Sequence, residues 1–301
     1  MKAELLDRAK DAVHHFCIEK ETGAVRPWGS GHINDTFLVE GDTRYILQRM
    51  NRSIFANPLQ VMENIVGVTS FLKEKIRSSG GDEIRQTLTV ILSEDGKSVY
   101  QDAFEDCWRM YYMIEDAVCY NQVQTEQDFY EAAKAFGDFG RLLSDYPAET
   151  LHETIPGFHD TRARYEAFQR AVEEDVCGRA GNVREEISFF QERKDITGVL
   201  GQMQAEGKLP LRVTHNDTKL NNIMIDKMTG KGICVIDLDT VMPGLAVHDF
   251  GDSIRFGANT GAEDETDLSK VSLDLHLFDL YTKGFLEGSQ GSLLAMEKRD
   301  I

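Results

Sequence analysis

The sequence is short of positive charge: 33 Lys and Arg stand against 51 Asp and Glu in 301 residues, a formal net charge of −18. Nucleic-acid backbone and anionic membrane both demand basic surface, so neither is expected as a partner. The five cysteines, Cys17, Cys107, Cys119, Cys177 and Cys234, contain no C-x-x-C pair and leave one over. That argues against a disulfide framework or a zinc site and for free thiols in a reducing compartment. No stretch approaches the roughly 18 apolar residues of a membrane span, and the opening MKAELLDRAKDAVHHF lacks the apolar centre of a signal peptide. A cytoplasmic protein is expected, monomeric or a small homo-oligomer. Internal repeats and low-complexity segments are also missing.

What is present suits two lobes. A chain of this length with 41% hydrophobic residues can bury a sizeable core. Leu6, Ala9, Val13 and Phe16 recur at helical spacing, predicting a leading amphipathic helix. DTFLVEGDTRYILQRM (35–50) reads as two strands around Gly41-Asp42, preceded by the two glycines of WGSGH. Asn57 and Pro58 cap and open a helix to about Ser78, with Met62, Ile65, Val66 and Leu72 on one face and Gly80-Gly81 as its stop. TLTVIL (87–92), SVYQD (98–102) and CWRMYYMI (107–114) are predicted strands, making 21–114 a small antiparallel sheet with one helix.

Past residue 120 the pattern turns helical. EQDFYEAAKAFGDFGRLLSDY, DTRARYEAFQRAVEED and VREEISFFQERKDITGVLGQM each carry an apolar stripe of helical period. Short strands return at LRVT, NIMI and ICVID, and 272–286 is a further amphipathic helix with Leu273, Leu277, Leu280, Tyr281 and Phe285. The predicted fold is α+β in two lobes, 1–116 and 117–301, the first a small antiparallel sheet and the second mainly helical. The pairs Tyr111-Tyr112 and Phe189-Phe190 are read as core.

The chemistry concentrates in VTHNDTKLNNIMID, residues 213–226. His215-x-Asp217 is followed by Asn222 five residues after the Asp, and Asp237 closes the apolar strand of CVIDLD. Phosphoryl transfer to a hydroxyl needs a carboxylate to accept the proton, while an amide oxygen and a second carboxylate hold Mg2+ against nucleotide phosphates. Asp217 suits the first task, Asn222 and Asp237 the second. A hairpin between the flanking strands would bring both metal-ligand candidates to one end. In PWGSGHINDTFLV, Gly29 and Gly31 let the backbone approach phosphate, and Ser30 adds a hydroxyl donor. His215 is assigned to the core, bonding backbone, Asp249 to bracing the catalytic loop, and Asp239 to a structural task. Asp252 and Arg255, one helical turn apart, are the candidate acceptor contacts, with a surface ion pair as the competing reading.

H-x-D-x-x-x-x-N followed by an apolar strand ending in Asp resembles the aminoglycoside phosphotransferase and choline kinase branch of the protein-kinase-like fold. GHINDTFLV, YILQRMN, IPGFHDT, THNDTKLNNIMID, VIDLDTVMPG and HDFGDSIRFGANT together look like bacterial N-acetylhexosamine 1-kinases, which move the γ-phosphate of ATP to the anomeric hydroxyl of an N-acetylhexosamine. The resemblance implies ATP and Mg2+ as cofactors and a small-molecule sugar as acceptor. It implies Asp217 as base, Asn222 and Asp237 on magnesium, Ser30 to His32 near the phosphates, and adenine at the lobe crossing near Ile114 and Glu115. Such sugar kinases continue through further C-terminal helices that help close the sugar pocket, which leaves two expectations open: the C-terminal helices here pack onto lobes already built, or part of the acceptor site lies outside these 301 residues. One departure stands out: kinase-like folds usually carry a cation on the third strand, where Gln48 is found here, and Arg49 should face the other way. Lys219, two after Asp217, is expected to compensate. The alternatives are a kinase for another small alcohol (homoserine, choline or an aminoglycoside) and a non-catalytic nucleotide-binding protein suggested by the missing cation.

Overall fold

The structure is a computed structural model that describes residues 2–18, 22–29, 33–261 and 265–300. Helix α1 (Lys2–Val13) leads into β1 (Thr22–Pro27), β2 (Asp35–Gly41) and β3 (Tyr45–Arg49), followed by α2 (Pro58–Ser78), β4 (Val90–Ile91), β5 (Tyr100–Gln101) and β6 (Cys107–Tyr112). The strands form one antiparallel sheet in the order β1-β2-β3-β6-β4, with β5 also on β6. One face carries Phe37, Val39, Tyr45, Leu47, Trp108 and Met110 against Ala9, Ala12 and Val13 of α1. The other face looks toward α2 and the second lobe. Helix α2 begins as the sequence reads: the Asn57 side chain accepts the Gln60 N–H at 3.4 Å with Pro58 next, and Gly80, at φ +76°, turns the chain away.

The second lobe comprises β7 (Ala117–Val118), α3 (Glu126–Leu142), α4 (Thr161–Glu174), α5 (Arg184–Glu192), α6 (Val199–Ala205), β8 (Arg212–Thr214), β9 (Ile223–Asp226), β10 (Gly232–Val235), β11 (Met242–Gly244), α7 (Ala246–Gly257), α8 (Leu275–Ser289) and α9 (Ala295–Asp300). Its two small sheets, β10-β9-β7 and β11-β8, lie on either side of the loop from His215 to Asn222. Helix α3 starts from a reciprocal cap between Thr125 and Asp128. It packs on α8 through Gly137, Gly284 and Gly288, where an added Cβ would strike backbone of the facing helix. Among the described residues no helix is long and apolar enough to cross a membrane.

Several expectations give way. Strand β1 was not foreseen: it offers little apolar alternation and pairs with β2 through backbone. The strands predicted over 87–92 and 98–102 shrink to two residues each. The helix predicted over 183–203 breaks into α5 and α6, and α5 buries nothing, so Phe189 and Phe190 are exposed rather than core. A helical stripe signals burial only where another element covers it. Leu273 lies before α8 and is exposed for the same reason.

Candidate active site

The loop after β8 is fixed from three sides. His215, fully buried, meets the edges of Phe136 and Phe139 on α3. Its Nε2 lies 2.9 Å from the Ile236 carbonyl, and its Nδ1 accepts the Asp217 N–H at 3.3 Å, a pair of bonds that puts the hydrogen on Nε2. Asn216 sits at φ +65°, a left-handed conformation that Asn tolerates better than most residues. Its N–H donates to Asp249 Oδ1 at 2.7 Å, and the His215 N–H to Asp249 Oδ2 at 2.9 Å. Thr218 donates from N to Asp252 Oδ2 at 2.9 Å, and Ser253 from Oγ to the Thr218 carbonyl at 2.6 Å. The first turns of α7 therefore carry the loop. Burial pushes the Asp249 carboxyl up to about 6, with His215 and the two N–H groups pulling the other way.

On that support Asp217 is half-exposed. Its Oδ1 lies 3.5 Å from Lys219 Nζ, and its Oδ2 accepts from Asn222 Nδ2 at 3.2 Å. The same Nδ2 donates to the Asp217 carbonyl at 2.8 Å, so the amide nitrogen of Asn222 is committed and its oxygen is the free ligating atom. The Ile236 N–H donates to the Asn222 carbonyl at 2.9 Å, and Val235 pairs with Ile223. Asn222 and Asp237 thus come to the same end of the β9–β10 hairpin.

Asp237, at φ +57°, is exposed at the cleft, within reach of the charges of Arg109 from the first lobe and Asp217 and Lys219 from the second. Displaced water raises its carboxyl to about 7, Asp239 adds to the rise, and Arg109 opposes it. Two carboxylates this close, beside an amide oxygen, suit a hard divalent cation. Among the described residues no cluster of three or more His, Cys, Asp or Glu could hold a metal alone. Two protein donors, with phosphate oxygens and water completing the shell, is the pattern of Mg2+ rather than of a closed protein cage.

The first lobe faces this floor. Gly29 has φ +75° and open space where a side chain would stand; Ser30, Gly31 and His32 lie outside the described residues. Arg49 does turn away, to Asp35 and Asp106. Gln48 donates to Thr36 Oγ1 at 3.0 Å and accepts from Arg109 Nε at 3.0 Å. Arg109, on β6, is a buried cation that the sequence did not single out; its guanidinium pairs with Asp239 between the lobes. Its signal was a charged residue amid the apolar CWRMYYMI. At the lobe crossing Ile114 is buried, while Glu115 pairs with Arg44 and its carbonyl accepts from Arg85 at 3.0 Å. Asp252 accepts the Thr218 N–H at 2.9 Å and pairs with Arg255, also at 2.9 Å, whose side chain is half-exposed.

A cavity of about 660 Å³ opens beside Asn216, lined in part by Glu153, His159, Asp160, Gln202 and His248. His159 Nε2 meets the Asn216 carbonyl at 3.2 Å, and its ring lies 5.0 Å from that of His248. Burial lowers both imidazoles, His248 to about 4. Glu153 accepts the Gly157 N–H at 2.9 Å, and Asp160 caps α4 through the Ala163 N–H at 2.9 Å.

Comparison with known proteins gives the family and the fold. The model of a phosphotransferase enzyme family matches residues 24–271. An aminoglycoside phosphotransferase from Alicyclobacillus acidocaldarius superposes with a TM-score of 0.61 at 10% identity, over 97% of this chain and 80% of that one. An amicoumacin kinase in complex with AMP-PNP and Ca2+ gives 0.58 at 14%, over 98% and 79%. A choline kinase from Cryptosporidium parvum gives 0.54 at 13%, over 99% and 83%. The fold is the two-lobed one of protein kinases, a small antiparallel-sheet N-lobe on a mainly helical C-lobe.

Proposed function

The chain belongs to the phosphotransferase enzyme family, and from that premise we propose that it is an ATP- and Mg2+-dependent kinase forming the 1-phosphate of an N-acetylhexosamine. The observation that carries the reading is Asp217, half-exposed, its carboxylate oriented by Asn222 at 3.2 Å and flanked by Lys219 at 3.5 Å. In this reading the acceptor oxygen bonds to the γ-phosphorus, the bond to the ADP oxygen breaks, and the hydroxyl proton passes to Asp217. Lys219 steadies charge on the transferring group. Asn222 Oδ1 and Asp237 would hold magnesium, which when bound would neutralise charge on the phosphates. The nucleotide would bind between residues 1–116 and 117–301, with Gly29 and the stretch Ser30 to His32 proposed to serve its phosphates and Ile114 and Glu115 its adenine.

The cavity beside Asn216 supports an uncharged acceptor. Its two imidazoles favour the neutral form. Glu153 and Asp160 each give only one oxygen to a backbone N–H, and their negative charge would suit a cationic acceptor such as choline or an aminoglycoside, which is the second reading. The test is ADP release with Mg-ATP and N-acetylglucosamine, N-acetylgalactosamine, homoserine, choline or kanamycin, with Asp217→Asn as blank. Turnover on an N-acetylhexosamine that disappears in the variant is expected. Turnover on a cationic alcohol alone replaces the acceptor, and silence across the panel with ATP still bound favours a non-catalytic protein.

A further inference from the structure

Among the described residues of the first lobe, Arg109 is the most deeply placed charge. Its side chain is 2% exposed and that of its partner Asp239 4%. Burying such a pair costs several kcal/mol of lost hydration that the attraction only partly repays, and well-packed apolar residues often do as well. Stability alone gives no reason to keep it. Its geometry gives another.

The guanidinium is oriented from several directions: Nε donates to Gln48 Oε1 at 3.0 Å, Nη1 bonds Asp239 and lies 3.9 Å from Met62 Sδ, and Cζ stands 5.4 Å from the Tyr111 ring centre. Gln48 is itself held by Thr36 at 3.0 Å. Asp239 is held in turn: its second oxygen accepts from Asn34 Nδ2 at 2.7 Å, and Asn34 Oδ1 accepts the Asn51 N–H at 3.0 Å. The short helical turn containing Asp239, Leu238–Thr240, starts directly after Asp237, which occupies its N-cap position without a side-chain bond. From its far end Thr240 Oγ1 donates to the His215 carbonyl at 2.7 Å, and the Thr240 carbonyl accepts Asn216 Nδ2 at 2.8 Å. One arginine on the N-lobe sheet therefore grips the middle of the tract joining Asp237 to the loop of Asp217.

We infer that Arg109 is a positioning residue for the metal-binding turn: by clamping Asp239 it sets where Asp237 presents its carboxylate to magnesium-bound nucleotide. The third-strand position carries an amide instead of a cation because Gln48 serves to aim Arg109. The inference rests on the kinase reading, since it assigns Asp237 to the metal. It predicts that loss of the clamp weakens the magnesium-dependent part of nucleotide binding and leaves the metal-free part alone, a split that a general loss of packing does not produce.

The experiment is calorimetric titration of ATP, with Mg2+ and with EDTA, into the unaltered protein and three variants. Arg109→Met with Asp239→Asn removes both charges together, leaves no buried carboxylate unpaired and keeps an oxygen for Asn34. Gln48→Ala loosens Arg109 while leaving the ion pair. The expected result is that the double variant melts cooperatively, binds ATP in EDTA as the unaltered protein does, and loses about 10- to 100-fold of the affinity that Mg2+ adds, the range typical of residues that orient a metal ligand. Gln48→Ala is expected to lose roughly three- to tenfold of the same increment. Arg109→Lys, which keeps the charge without the fork, is expected to fall between them. A full magnesium increment in the double variant overturns the inference; should that variant not fold, an unchanged increment in Gln48→Ala overturns it. If the unaltered protein binds no ATP at all, the kinase reading falls and this inference falls with it.

Discussion

Removing Asp249 should disable the catalytic loop without touching any reacting atom. Asp249→Ala leaves the His215 and Asn216 N–H groups, now bonded at 2.9 and 2.7 Å, without an acceptor beneath residues that are themselves buried. An unmade hydrogen bond to a buried donor costs about 1–3 kcal/mol, so the two together cost about 2–6 kcal/mol. For a chain of this size that corresponds to roughly 2 °C per kcal/mol, a fall in melting temperature of about 4–12 °C. The larger effect is on turnover: Asn216 holds a left-handed conformation with Asp249 as one of its anchors, and displacing the neighbouring Asp217 by an ångström costs on the order of 100-fold. Calorimetric melting and ADP release on the same preparation give both numbers. A melting temperature within about one degree of the unaltered protein, together with full turnover, would refute the claim that this carboxylate shapes the loop.

Two further outcomes follow from single side chains. Lys219→Ala is expected to lower kcat by more than about tenfold, the order for one charged contact to the transition state, because its ammonium stands 3.5 Å from Asp217; undiminished turnover excludes that role. Arg85, at 2.7 Å, and then Thr229 hold the Asp226 carboxyl down to about 2. A carboxyl with a lowered folded pKa stabilises the fold above its unfolded value, near about 4, and that help is lost as pH falls through the folded value. The gap in melting temperature between the unaltered protein and Asp226→Asn should therefore be full above about pH 4 and close toward pH 2, and a gap independent of pH would contradict the assignment.

The elements legible in the sequence were those whose signals are local. Asn57-Pro58 announces α2, and Gly41-Asp42 the β2–β3 turn. Asp217, Lys219 and Asn222 lie within six consecutive positions, so spacing alone fixes their relations. The return of Asp237 was legible too, because a hairpin between two apolar runs has few other ways to close. What stayed hidden depends on distant partners. Strand β11 is three residues containing a proline, and only its pairing with β8 makes it a strand. The partner of Arg109 lies 130 residues further along the chain, and nothing near either residue names the other. The bond from the Thr218 N–H to Asp252 joins residues 34 apart, and neither stretch alone announces it.

The glycines between α3 and α8 reach further than the helix pair. Helices meeting through side chains can slide by a residue and repack, but Gly137, Gly284 and Gly288 admit the opposing backbone itself, so the two rods key together at one axial setting. His215 leans on Phe136 and Phe139 of the first rod, while Ser253, which bonds the loop at Thr218, is touched by Tyr281 of the second. Both abutments of the loop are thereby referred to a single frame. Opening and closing of the cleft must be taken up by the first lobe, against a second lobe that works as an anvil.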